Sequence, residues 1–114
     1  MNLVSLLGKW FIIYVSFPTN LRCRTIEFKN YENNKFLMCF DGINESGMSS
    51  AICYPNIYIS NENKNNTINV LQIGKNMRIQ FNNNVYILSK NASNFENNPS
   101  LRSLHKISQN NCHP

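Results

Sequence analysis

The chain has no long apolar run. The longest in its 114 residues, positions 10–15, falls far short of the roughly 20 that a membrane helix needs, so no helical span is expected. Histidine is nearly absent, with only His105 and His113 near the C-terminal end. The six acids, Glu27, Glu32, Asp41, Glu45, Glu62 and Glu96, fall mostly in turn-like segments and form no evident carboxylate pair for acid–base work. The four glycines make no phosphate-cradling loop, and no nucleophile motif appears. No C-x-x-C spacing exists, which argues against structural zinc or dithiol redox chemistry. The adjacent Cys112-His113 pair offers too few ligands for a metal. An enzyme is therefore not expected, and neither is a metal or other cofactor.

Basic residues exceed acidic ones, for a net charge of +5, but they are dispersed. Arg22 and Arg24 stand close together, while Lys29, Lys35, Lys64, Lys75, Arg78 and Lys90 follow singly. A nucleic-acid binder concentrates such charge on one face, often beside stacking aromatics. The pattern reads instead as a mildly basic soluble surface, with no nucleic-acid partner.

Apolar residues make up 42% of the chain, enough for one packed core in one domain, 1–114. Asparagine is abundant, about a fifth of all residues, and clusters at positions 33–34, 65–66, 82–84, 97–98 and 110–111. Asparagine tolerates left-handed backbone and favours turns, so these clusters punctuate the chain between apolar segments. Four cysteines, Cys23, Cys39, Cys53 and Cys112, are an even count in a short chain and suggest two disulfides, with three pairings open. Three glycosylation sequons begin at Asn44, Asn65 and Asn91. Together they favour a secreted protein. The apolar stretch 10–17 has the length of a leader's hydrophobic region. It lacks a positive charge before Lys9 and a small-residue cleavage site before Cys23, so it reads as a first strand.

Eight short β segments follow from apolar alternation bounded by turn residues: 10–17, 22–28, 35–41, 50–54, 57–60, 67–73, 77–81 and 85–90. Short separations predict that each pairs antiparallel with the next. Gly74-Lys75 suits a two-residue hairpin, and Asn82-Asn83-Asn84 a slightly longer one. A hairpin centred on Ser46 places Cys39 opposite Cys53, Phe40 opposite Ile52 and Met38 opposite Tyr54. Cross-strand partners have neighbouring β-carbons, so Cys39–Cys53 is the expected bond. Beyond the eighth strand, Asn98 and Pro99 suit the start of a helix. Leu101, Leu104 and Ile107 would form one face of that short C-terminal helix, which must pack on something to persist.

An all-β chain of eight up-and-down antiparallel strands with one C-terminal helix resembles the lipocalin plan. Leu7-Gly8-Lys9-Trp10-Phe11 is similar to the G-x-W motif that opens the first lipocalin strand. Val85-Tyr86-Ile87-Leu88-Ser89-Lys90 resembles the closing strand, which ends in a basic residue packed over that tryptophan. Arg22-Cys23-Arg24-Thr25-Ile26-Glu27-Phe28 looks like the second strand of the insect bilin-binding and apolipoprotein D-like branch. There a cysteine is bonded to one near the C-terminus, so the resemblance implies a Cys23–Cys112 bond. It spans almost the whole chain. Cytosolic fatty-acid-binding proteins share the G-x-W opening but then insert two helices, whereas here a cysteine-bearing strand follows directly. The chain departs from the lipocalin pattern in having Lys90 in place of arginine and Gly74-Lys75-Asn76 in place of an acidic T-D-Y-like motif. It is also shorter than typical members.

The resemblance implies architectural roles for Gly8, Trp10 and Lys90, with the tryptophan plugging one end of an eight-stranded barrel. Such a barrel has room for one small ligand. Residues alternating on one face of each strand are the candidate lining: Tyr14, Phe36, Met38, Phe40, Tyr54, Tyr58, Val70, Ile79, Phe81 and Tyr86. The tyrosines are the more telling members, because a buried phenol needs a hydrogen-bond partner that a ligand can supply. The expected function is extracellular carriage or sequestration of a small hydrophobic ligand by a monomer. Fatty acids, sterols, tetrapyrroles and odorant-like molecules are the classes the resemblance implies. The alternative is a secreted module or inhibitor with a closed barrel whose loops contact a protein partner.

Overall fold

The computed structural model describes residues 6–62, 64–92, 103–110 and 112. Apolar residues alternate with polar ones, and the described residues form eight strands. These are β1 (Gly8–Val15), β2 (Arg22–Asn30), β3 (Phe36–Ile43), β4 (Ser49–Ile59), β5 (Thr67–Ile73), β6 (Asn76–Phe81), β7 (Asn84–Ser89) and β8 (His105–Lys106). They make one sheet in the order β2-β3-β4-β5-β6-β7-β1-β8, and β1 also pairs with β2, so the sheet closes on itself. The ring proper runs from β1 to β7, with β8 laid against β1.

That odd number corrects the expectation of a purely antiparallel sheet. Antiparallel neighbours reverse direction at every step, so a ring of seven cannot close without a parallel pair. The parallel pair is β4–β5, held by only two residue pairs, Tyr58 with Thr67 and Ile59 with Ile68. Two expected strands, 50–54 and 57–60, are in fact one. Pro55 has no N–H to give the ladder and Asn56 takes a φ of +61°, so the chain bulges within β4 without leaving β3.

The C-terminal helix is also corrected. Its expected start at Asn98 and Pro99, with Leu101, lies outside the described residues. Leu104 and Ile107 are not helical. His105–Lys106 instead adds as β8 to Tyr14 and Val15, and the Ile107 N–H donates to the Ile13 carbonyl at 2.9 Å. A short segment of modest helical propensity has little to gain from an isolated turn when an open strand edge offers its backbone partners.

Asparagine makes the turns, as its clustering suggests. Among the described non-glycine residues with positive φ, all but Cys23 are asparagines: Asn33, Asn34, Asn56, Asn66, Asn82 and Asn83. Asn82 and Asn83, at +50° and +65°, form a two-residue hairpin between the paired Phe81 and Asn84, one residue tighter than expected. Gly74-Lys75 joins the paired Ile73 and Asn76. Both disulfides follow the expected pairing, with Cys39 bonded to its register partner Cys53 and Cys23 to Cys112.

Inside the ring lies one apolar cluster drawn from β1 to β7, joined by Leu6 and Ile107. A second, smaller cluster, centred on Ile13 and Ile87, occupies the other face of β1 and β7 with Phe11, Tyr14, Val85 and Leu104. The register shift between Ile12 and Tyr14 separates the two. It turns Ile13 and Tyr14 away from the ring interior while Ile12 and Val15 keep to it.

Candidate functional site

The two ends of the ring differ. At one, Trp10 is 4% exposed and its Nε1 donates to the Leu6 carbonyl at 2.9 Å. Lys90 Nζ lies 4.2 Å from the ring centroid and donates to the Lys9 carbonyl at 3.1 Å. The point charge therefore keeps a cation–π contact without guanidinium stacking. Partial burial pushes the Lys90 ammonium below the ordinary lysine range. Gly8 has a φ of +104°, and a β-carbon there would stand 3.3 Å from Lys90 Nζ. The left-handed conformation asks for glycine at this position. This end is a plug.

The other end holds aromatic rings. Phe40 packs on Tyr54, Phe81 and Tyr86 with centroids 6.0, 6.4 and 5.2 Å apart. Tyr54 meets Phe81 at 5.1 Å, and Phe17, just beyond β1, sets its ring edge-on to Tyr86 at 5.7 Å. Ile52 is the register partner of Phe40 and so shares its face of the sheet, yet it is 53% exposed. The inner face therefore meets solvent here.

Of the ten candidate lining residues, Phe36, Met38, Phe40, Ile79, Phe81 and Tyr86 are buried together inside the ring, with Tyr54 and Val70 packed against them. Tyr14 belongs to the second cluster, because the irregularity in β1 breaks the alternation on which its choice rested. Tyr58 is exposed and borders a surface hollow of about 620 Å³ beside Asn33, Asn34, Lys35 and Ile59. Three further hollows, of about 240, 260 and 180 Å³, also lie away from the aromatic cluster. Among the described residues, no group of three His, Cys, Asp or Glu side chains is placed to hold a metal ion. No helix among them is long and apolar enough to cross a membrane.

The residue that the sequence reading missed is Arg24. Taken there as surface charge, it is only 7% exposed. Its guanidinium lies over the rings of Phe17 and Tyr86, 5.4 and 5.9 Å from their centroids. Nε is buried with no hydrogen-bond partner. The signal was present: Arg24 has the same strand parity as Ile26 and Phe28, both buried inside the ring. Desolvation lowers the Arg24 pKa from its ordinary value, partly opposed by Tyr86, but an arginine stays charged throughout the physiological range.

Burial raises the Tyr86 phenol above its usual value, against the pull of Arg24 and of a hydrogen bond with Asn84. A raised folded-state pKa gives stability that is complete below the unfolded value, about pH 10, and lost as pH rises through the folded one. Tyr86→Phe should therefore flatten the alkaline fall in melting temperature relative to the parent. Parallel melting curves from pH 8 to 11 would show that Tyr86 has no such role.

Two of the sequon asparagines lie in turns. Asn44 is half-buried, its Oδ1 accepting from the Ser46 and Met48 N–H groups at 3.0 Å each, and Asn65 is exposed. Asn91 is exposed just after β7, while the Ser93 of its sequon is outside the described residues. No family model matches the chain, and no curated protein matches its sequence.

Proposed function

We propose that this chain is an extracellular, lipocalin-like β-barrel that binds a small, largely apolar ligand at its aromatic end. The carrying observation is the junction of Phe40, Tyr54, Phe81 and Tyr86 with a solvent-facing Ile52 on one inner surface. Affinity would come from apolar burial, at roughly 25 cal/mol per Å². Two disulfides are compatible with an oxidising, extracellular setting, and Asn44, Asn65 and Asn91 are the proposed glycan acceptors. The reading includes a monomer without catalytic activity, cofactor or nucleic-acid partner.

One observation favours the alternative, a secreted module with a closed barrel that contacts a protein through its loops. The aromatic rings touch one another, and the four hollows described above lie elsewhere. Ile79 tests both readings. It is fully buried between its register partners Val70 and Tyr86. With an open site, the parent enhances the fluorescence of an apolar dye, and Ile79→Trp weakens that binding while the protein stays folded. With a filled interior, the parent gives no dye signal and the substitution costs roughly 1–3 kcal/mol by overpacking. That second outcome would replace the ligand-binding reading with the module.

A further inference from the structure

A positive charge taken out of water without a counter-charge is costly, and Arg24 is such a group. Its side chain is more than nine-tenths buried and its Nε has no partner. The ion pair found among the described residues, Lys64 with Glu62, lies on the surface and does not involve it. The nearest acid in register, Asp41, is opposite Thr25 and is exposed, one residue out of phase with the face that carries Arg24. The guanidinium lies over the rings of Phe17 and Tyr86, and Tyr86 continues into Phe40. Gly42 completes the setting. A β-carbon there would stand 3.4 Å from Arg24 Cγ and 3.5 Å from Leu21, ordinary contact distances, so Gly42 lies directly beside the arginine stem.

A guanidinium offers five donors in a planar fork that matches a carboxylate. Aromatic faces beneath it hold the fork in place but use none of those donors. We propose that Arg24 recognises the carboxylate of an amphipathic organic acid whose apolar body rests on the Phe40–Tyr86 rings. This rests on the ligand-binding reading above and narrows it, because a hydrocarbon would leave the buried Nε unpaired and a sterol's neutral hydroxyl would bring no counter-charge. The ligand's head would lie beneath Phe17, at the open end of the ring, and its tail would point toward Ile79.

A fluorescent polyene fatty acid and its methyl ester share one apolar body and differ in charge, so they are the probes. The parent should bind the acid about tenfold or more tightly than the ester, the scale of a charge-assisted hydrogen-bonded pair. Arg24→Met should reduce the acid to the ester's affinity and leave the ester unchanged, while Arg24→Lys should keep part of the preference. The ligand-free Arg24→Met protein should melt within about a degree of the parent, because the guanidinium gives no hydrogen bond among the described residues and an unbranched Met keeps the apolar packing of the stem beside Phe17 and Tyr86. A larger drop in melting temperature would assign Arg24 to structure instead. Equal binding of acid and ester by the parent, or a preference that survives Arg24→Met, would overturn the proposal and leave apolar ligand binding standing. Failure to bind either probe would overturn both.

Discussion

Trp10→Ala should cost about 3–5 kcal/mol of stability through the cavity left behind. The indole fills the closed end of the ring, 4% exposed, and its removal also strips the Leu6 carbonyl of the Nε1 donor 2.9 Å away. Lys90→Ala should cost far less, below about 1 kcal/mol, because the cation–π contact is made at a site still largely open to water. Urea midpoints followed by far-UV circular dichroism measure both, and the choice of signal matters because Trp10 is the sole tryptophan. Small and equal losses would mean that nothing rests on the plug.

Removing the Cys23–Cys112 bond, as Cys23→Ser with Cys112→Ser, should cost roughly 4–5 kcal/mol in the chain-entropy model. The bond closes a separation of 89 residues, against 14 for Cys39–Cys53, whose loss should cost about 3 kcal/mol on the same scale. More than entropy is at stake in the longer link. The Cys23 N–H donates to the Ser108 carbonyl at 2.8 Å, and Gln109 Nε2 donates to the carbonyls of Ile12 and Arg24 at 2.9 and 3.0 Å. The tail therefore fills the gap where β2 leaves β1, and an unpinned tail would open that edge. Denaturation of both double variants under oxidising conditions gives the comparison. A larger loss for the shorter loop would count against this account.

Register was the most legible part of the structure. The arithmetic that centred a hairpin on Ser46 needed only alternation and a polar turn, and it fixes three residue pairs and a disulfide. Asparagine clusters marked turns because few other side chains tolerate positive φ. What escaped was each departure from period two. The β1 irregularity at Ile12 and Tyr14 sends Tyr14 to the other face, and no residue type there announces it. The left-handed Cys23 (φ +55°) and the bulge at Pro55-Asn56 are of the same kind. Ring parity was hidden too, since Pro55-Asn56 reads as a break between two strands, whereas β4 runs through it and leaves seven in the ring. Arg24 escaped for a different reason. Its charge argues for the surface, while its strand parity places it with Ile26 and Phe28.

The stitching of the tail has a bearing on how the chain is made. β1 is made before the other strands, yet the backbone of its second half pairs with β7 and with residues 105–109. Until those have been synthesised, Ile12 to Val15 must wait with apolar side chains and unpaired backbone exposed, a condition in which nascent strands aggregate. Native pairing of β1 thus waits on a segment about 90 residues further along the chain, and the same segment brings Cys112 to Cys23.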